Sequence, residues 1–225
     1  MLSEMFLKLW HAGLIQKGIW ETIYMTVIST AISYVIGLPL GVILTVTDKG
    51  GIHPIPWLNR VLGVIVNFFR SIPFIILMVA MLPVAKFVVG TSLGNKAMIV
   101  MLVIAAAPYI ARMVESSLLE VDRGVIEAAQ SMGADLWTII WKVMICEART
   151  SLIVGATIAL GTVLGYSAMA GAVGGGGLGD TAITYGYYRY QTDIMLVTVL
   201  LLILLVQIMQ WIGTRLAKKL DRRLS

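Results

Sequence analysis

From Thr22 to Thr47 the chain runs for 26 residues without a charged side chain, and other long apolar runs follow. Few features restrict a fold more. Lipid offers no partner for backbone N–H and C=O groups, so a segment of this kind must satisfy them internally, as a helix. About 20 mostly apolar residues in a helix cross a bilayer. Ser71–Ala85 is uncharged, and Val61–Phe69 extends it across Arg70, with Pro73 loosening the helix there. Ala97–Ala111 has only 15 uncharged residues, but Lys96 and Arg112 flank it and can extend to the interfaces. Thr150–Gly179 gives 30 uncharged residues and Ile194–Thr214 gives 21. The expected fold class is all-α: one polytopic membrane domain over residues 1–225. Its five spans fall near 22–47, 61–88, 97–114, 150–172 and 193–215, with a cytoplasmic loop near 115–149.

Composition agrees with lipid as the solvent. Hydrophobic residues make up 59% of the 225 and charged ones 13%, against about 25% charged in an average globular domain. The net charge of +5 does not point to nucleic acid, because the basic residues sit at the ends of apolar runs. The single cysteine, Cys146, excludes a disulfide framework within the chain. The first twenty residues lack the basic start, short apolar run and small-residue cleavage site of a signal peptide, so they are expected in the mature protein. Lys49, Arg60, Arg70, Arg112, Arg123, Lys142, Arg149, Arg215, Lys218, Lys219, Arg222 and Arg223 fall on one side of the spans. Lys8, Lys17, Lys86, Lys96 and Arg189 fall on the other. Twelve against five makes the first side cytoplasmic and places the N-terminus outside.

The long polar loop has helix grammar. Asp122 can cap a helix over RGVIEAAQSM, Gly133 supplies a left-handed stop, and Asp135 can cap a second helix, LWTIIWKVM. Val125, Ala128, Ala129 and Met132 share one side of the first helix. That face either packs on the protein's own helix ends or docks a cytoplasmic partner, with Glu127 offering an ion pair.

Glu127-Ala128-Ala129, three residues, Gly133, and nine residues later Val143-Met144-Ile145-Cys146 resemble the EAA motif of permease subunits of binding-protein-dependent, ATP-driven importers. Val143 and Ile145 fit its apolar positions, and Cys146 stands where proline is usual. The stretches RSIPFIIL (70–77), AAAPYIARMVE (105–115), EVDRGVIEAAQSMGA and GYSAMAGAVGGGGLGD (165–180) together resemble the methionine-importer permeases from about residue 15 onward. That resemblance implies a second copy of the chain, two cytoplasmic ATPase subunits that hold the ATP and magnesium, and an extracytoplasmic methionine-binding lipoprotein. It implies a bacterial inner-membrane location and no enzymatic activity or cofactor in this chain. It also makes Glu127, Ala128, Ala129 and Gly133 the coupling element that sits in a groove of the ATPase.

Other motifs read less sharply. Gly174-x-Gly176-x-x-Gly179 matches a dinucleotide fingerprint, but no strand precedes it and no P-loop Lys-Ser/Thr follows. It reads instead as irregular backbone at the outer end of span four, tolerated when buried or lining a cavity. Gly155, Gly161 and Gly165 form a small-residue path that suits close packing, either within the chain or at a dimer axis and pore wall. The pore and gate candidates are Gly161, Gly165, Tyr166, Ser167 and Met169. Met169 is either a gap-filler or a flexible gate. The tyrosines of YGYYRYQTD (185–193) form an interfacial belt or a contact for the external binding protein. Arg70 is expected to snorkel at the inner end of span two. His11 and His53 stand without metal-ligand neighbours, so no metal is assigned. Nothing in the spans reads out a substrate, and no intramembrane charge pair is foreseen. The rivals are the same machine for another small solute and a secondary transporter, which would usually show a duplicated half. A membrane enzyme would need a nucleophile–base set that is not seen.

Overall fold

The computed structural model describes residues 13–220, and all its regular elements are helical. Lys8, His11, Arg222 and Arg223 lie outside the described residues. Four helices are long and apolar enough to cross a membrane: α1 (Leu14–Thr47), α5 (Asn95–Leu119), α9 (Arg149–Ala170, continued by a 3-10 turn, Gly171–Val173) and α11 (Thr192–Leu220). They match spans one, three, four and five.

Small residues set how these helices meet. Gly37 and Gly41 of α1 let it approach α5. A Cβ on Gly37 would stand 2.7 Å from Ile110, and one on Gly41 would stand 2.6 Å from the Ala111 carbonyl. Thr26, Ser29, Thr30 and Ser33 extend this buried seam with further small side chains. Against it packs the main core, which includes Met98, Met101, Leu102 and Ile110 of α5. Thr22, Thr45, Thr157 and Thr198 donate their hydroxyls to carbonyls four residues back, which hides them inside the helix.

Span two differs from its expectation as one rod over 61–88. The chain forms α2 (Pro56–Ser71), α3 (Phe74–Ala80) and α4 (Leu82–Val89), and α2 meets α3 at 103°. Pro73 has no N–H to donate, and its ring pushes Ile72 out of the helical region to φ −84°, ψ 126°. Met81 merely tightens the join of α3 and α4, since its N–H bonds back to the Leu77 carbonyl at 2.9 Å. Asn59 pins α2 to the C-terminal end of α1 through a 2.7 Å bond to the Leu44 carbonyl. Trp57, Val61, Val64, Ile65 and Phe68 form an exposed apolar stripe along α2.

Span three is longer than 97–114, because α5 runs to Leu119. Arg112 therefore lies about two turns inside the helix. Its Nη1 holds Glu115 at 2.6 Å, and its Nη2 donates to the Gly63 carbonyl of α2 at 3.3 Å. This ion pair on α5, with the bond to Gly63, clamps α2 to α5.

Candidate functional site

The polar segment after α5 folds as an elbow. Asp122 accepts a 2.6 Å hydrogen bond from the Gly124 amide and starts α6 (Arg123–Ser131). Gly133 closes it at φ +79°, with the Ala134 amide bonded back to the Ala129 carbonyl at 3.1 Å. The second arm comprises α7 (Leu136–Thr138), a π-helical stretch (Ile139–Met144) and α8 (Ile145–Glu147). Asp135 occupies its N-cap with extended backbone but closes no side-chain cap bond. The Thr138 side chain, followed by nearby backbone amides, holds the exposed Asp135 carboxyl below its usual range. With Cys146 in place of proline, the arm persists to Glu147 and passes through Ala148 straight into α9.

The face foreseen as one surface is split. Ala129 is 5% exposed and packs into the main core with Ile139 and Met144. Val125 and Ala128 are open, and Met132 is 81% exposed. Glu127 is exposed on the same arm and lines a cleft of about 220 Å³ with Asp48, Gly51, Arg123 and Gln130. Sequence reasoning missed that the turn after α1 completes this cleft. Gly50 is the only trace of it: a Cβ there would come within 2.9 Å of the Arg123 guanidinium.

The pore candidates do not form one cluster. Gly165 and Met169 share an open face of α9 with Val154 and Ile158, and Met169 is 52% exposed. Nothing stands within 4 Å of a Cβ on Gly165. Gly161 instead faces Gln210 of α11. Tyr166 stacks on Phe74 of α3 with centroids 4.2 Å apart. Ser167 is buried and donates to the Leu164 carbonyl at 2.8 Å.

At the far end of α9 the glycines build a folded-back segment: α10 (Gly177–Thr181) and a π-helical turn (Ala182–Tyr187). Gly174, Gly176 and Gly177 hold φ of +77° to +79°. A Cβ on Gly171 would run into the Gly179 backbone, and one on Gly179 into the Ala168 carbonyl. Glu21 and Thr22 of α1 fasten α10 by accepting from the Gly177 and Leu178 amides, at 2.8 and 2.9 Å. The backbone is irregular as expected, but only part of it is buried: Gly171, Gly175 and Gly177–Gly179 are covered and Gly174 is exposed. Beyond it Tyr187, Tyr188 and Tyr190 are exposed, and Arg189 lies 4.5 Å above the Tyr185 ring.

Apolar helices packed along small-residue seams, with a capped helical elbow at one end and an open face on α9, define a polytopic membrane transport subunit. The sequence profile of the binding-protein-dependent transport system inner membrane component family matches residues 37–222. The chain belongs to that family. It is 52% identical over 213 residues to the "probable D-methionine transport system permease protein MetI" of Vibrio cholerae, covering 95% of each chain. It is 44% identical to the methionine import system permease protein MetP of Bacillus subtilis, over 96% of this chain and 95% of that one. Among solved structures it resembles the permease chain of an inward-facing MetNI methionine ABC transporter, with a TM-score of 0.92 at 49% identity. That match covers 93% of this chain and 97% of the other. An amino acid ABC transporter crystallised with histidines shares the fold alone, at 17% identity and a TM-score of 0.78.

Proposed function

We propose that the chain is the methionine-translocating permease of an ATP-driven importer. Two copies would form the pathway, two cytoplasmic ATPase subunits would hold and hydrolyse ATP with magnesium, and an external lipoprotein would deliver the substrate. The observation that carries the substrate is the 52% identity over 95% of both chains with a methionine permease. Glu127, Ala128 and Gly133 would form the coupling surface for the ATPase, with Ala129 anchoring it from inside. Gly165 and Met169 would line the pathway, since their side of α9 is left uncovered within the chain. Gly161 and Ser167 would support that wall from behind, and Tyr166 would stand at its edge toward α3.

The test is radiolabelled methionine uptake in a methionine auxotroph whose only importer is this one. Growth and uptake that depend on the chain support the reading. Uptake of another solute in its place rejects methionine and leaves the importer standing.

The basic-residue asymmetry places the elbow and the C-terminus in the cytoplasm. Cys146 is exposed on the elbow, with its thiol 3.4 Å from the Trp141 carbonyl. An impermeant thiol reagent is expected to leave it unmodified in intact cells and to label it in inverted vesicles. Labelling from outside would overturn the orientation.

If Met169 gates the pathway, Met169→Ala is expected to raise basal leak or change the rate of uptake. It should not alter which amino acid is taken, because choice rests with the binding protein. Uptake of a changed set of amino acids by the reconstituted variant would contradict this.

A further inference from the structure

The bend between α2 and α3 brings Arg70 to an unforeseen position. Arg70 lines a cavity of about 130 Å³ with Phe69, Phe74, Leu77, Tyr109 and Tyr166. Tyr109 lies near the middle of α5, which runs from Asn95 to Leu119. About 15 Å of helix separates it from the inner end of α5, which is more than an arginine side chain spans. Arg70 therefore stands opposite the middle of α5 and not at its end. Arg112, the other arginine at this depth, has Glu115. Arg70 is exposed and closes no ion pair or hydrogen bond among the described residues. A cation held at mid-depth is costly and ordinarily marks a pathway for solute or ions.

We propose that Arg70, with the hydroxyls of Tyr109 and Tyr166, forms a station for the α-carboxylate of the amino acid as it crosses. This rests on the importer reading above. The guanidinium fork suits a carboxylate in two parallel hydrogen bonds. Each tyrosine hydroxyl can donate one more or accept from the ammonium group. Stacking on Phe74 fixes the Tyr166 ring, and Tyr166 adjoins Gly165 on the open face of α9. The cavity takes the polar head and leaves the side chain free. It would therefore serve amino acids generally and leave selection outside the membrane. The broken backbone gives the station its place: Ile72 and Pro73 end α2 just past Arg70, so the side chain stands at a corner instead of along a buried helix face.

The test uses the full complex of permease, ATPase and binding protein in proteoliposomes, with Arg70→Cys placed in a Cys146→Ser background. Methionine taken up per ATP hydrolysed is measured, because KM for uptake would report the binding protein. Loss of a charged hydrogen-bond pair is expected to lower that ratio at least about tenfold. Aminoethyl methanethiosulfonate, which restores a cation on the introduced thiol, is expected to recover uptake. Methyl methanethiosulfonate, which adds a neutral group, is not. An unchanged ratio, or equal recovery with both reagents, overturns the station. If Arg70→Cys fails to insert, Arg70→Lys decides. It keeps the cation, as the aminoethyl adduct does, and a ratio that falls about tenfold in this variant refutes the proposal. A wild-type complex that accumulates no methionine refutes the substrate reading itself, and the station's ligand falls with it.

Discussion

Glu127→Lys is expected to abolish uptake while the subunit remains in the membrane at near-normal abundance. Within this chain Glu127 is exposed and makes no ion pair among the described residues, so its replacement leaves the core intact. Its neighbours Ile126 and Ala129 are what tie α6 to the core. If Glu127 couples as proposed, folding and coupling rest on different residues of one helix. Against a docked ATPase, charge reversal at a partly desolvated contact costs about 2–5 kcal/mol, enough to empty the interface. Uptake assayed beside membrane abundance separates the two effects, and unchanged transport would sink the coupling role. Glu127→Ala is expected to impair transport of every substrate alike, since coupling does not read the solute.

Gly179→Ala is expected to act on the fold itself. Its methyl would overlap the Ala168 carbonyl, and both sides of that contact are backbone, so no rotamer change relieves it. The cost is placed at about 3 kcal/mol, the upper end for overpacking. A clear drop in the thermal midpoint in detergent and a loss of membrane abundance should follow. Gly165→Ala is the control. A methyl there meets nothing within 4 Å, so stability is expected to hold even if transport changes. A Gly179→Ala protein that melts with the wild type would show that the folded-back segment is looser than its packing implies.

Much of this was legible in order along the chain. Charge-free runs specify helices in lipid whatever surrounds them, because the backbone has no other partner there. Spans one, three, four and five follow from that alone. Asp122 and Gly133 bound α6 through local hydrogen bonds and a left-handed backbone, which also need no tertiary context. Ile72-Pro73 carried the signal of a helix end as well. Hydropathy continuing on both sides made it read as a loosened rod, whereas the backbone turns by 103°.

Faces and pairs were not legible, because they depend on which helix stands opposite. Periodicity grouped Ala128 with Ala129, and only the second arm of the elbow, lying on one side, buried Ala129 and left Ala128 open. Arg112 reads as a boundary residue in a 15-residue run. The packing of α5 against α2 kept the helix going, and burial then made Glu115 and the Gly63 carbonyl its partners. Gly161 and Gly165 are alike in sequence, yet α11 covers one and nothing covers the other. Local hydrogen bonding and hydropathy act within a few residues, so the sequence by itself determined the helices and their ends. Burial is decided between segments far apart in the chain, so only the tertiary structure could say which side of each helix is left for substrate, subunit or lipid.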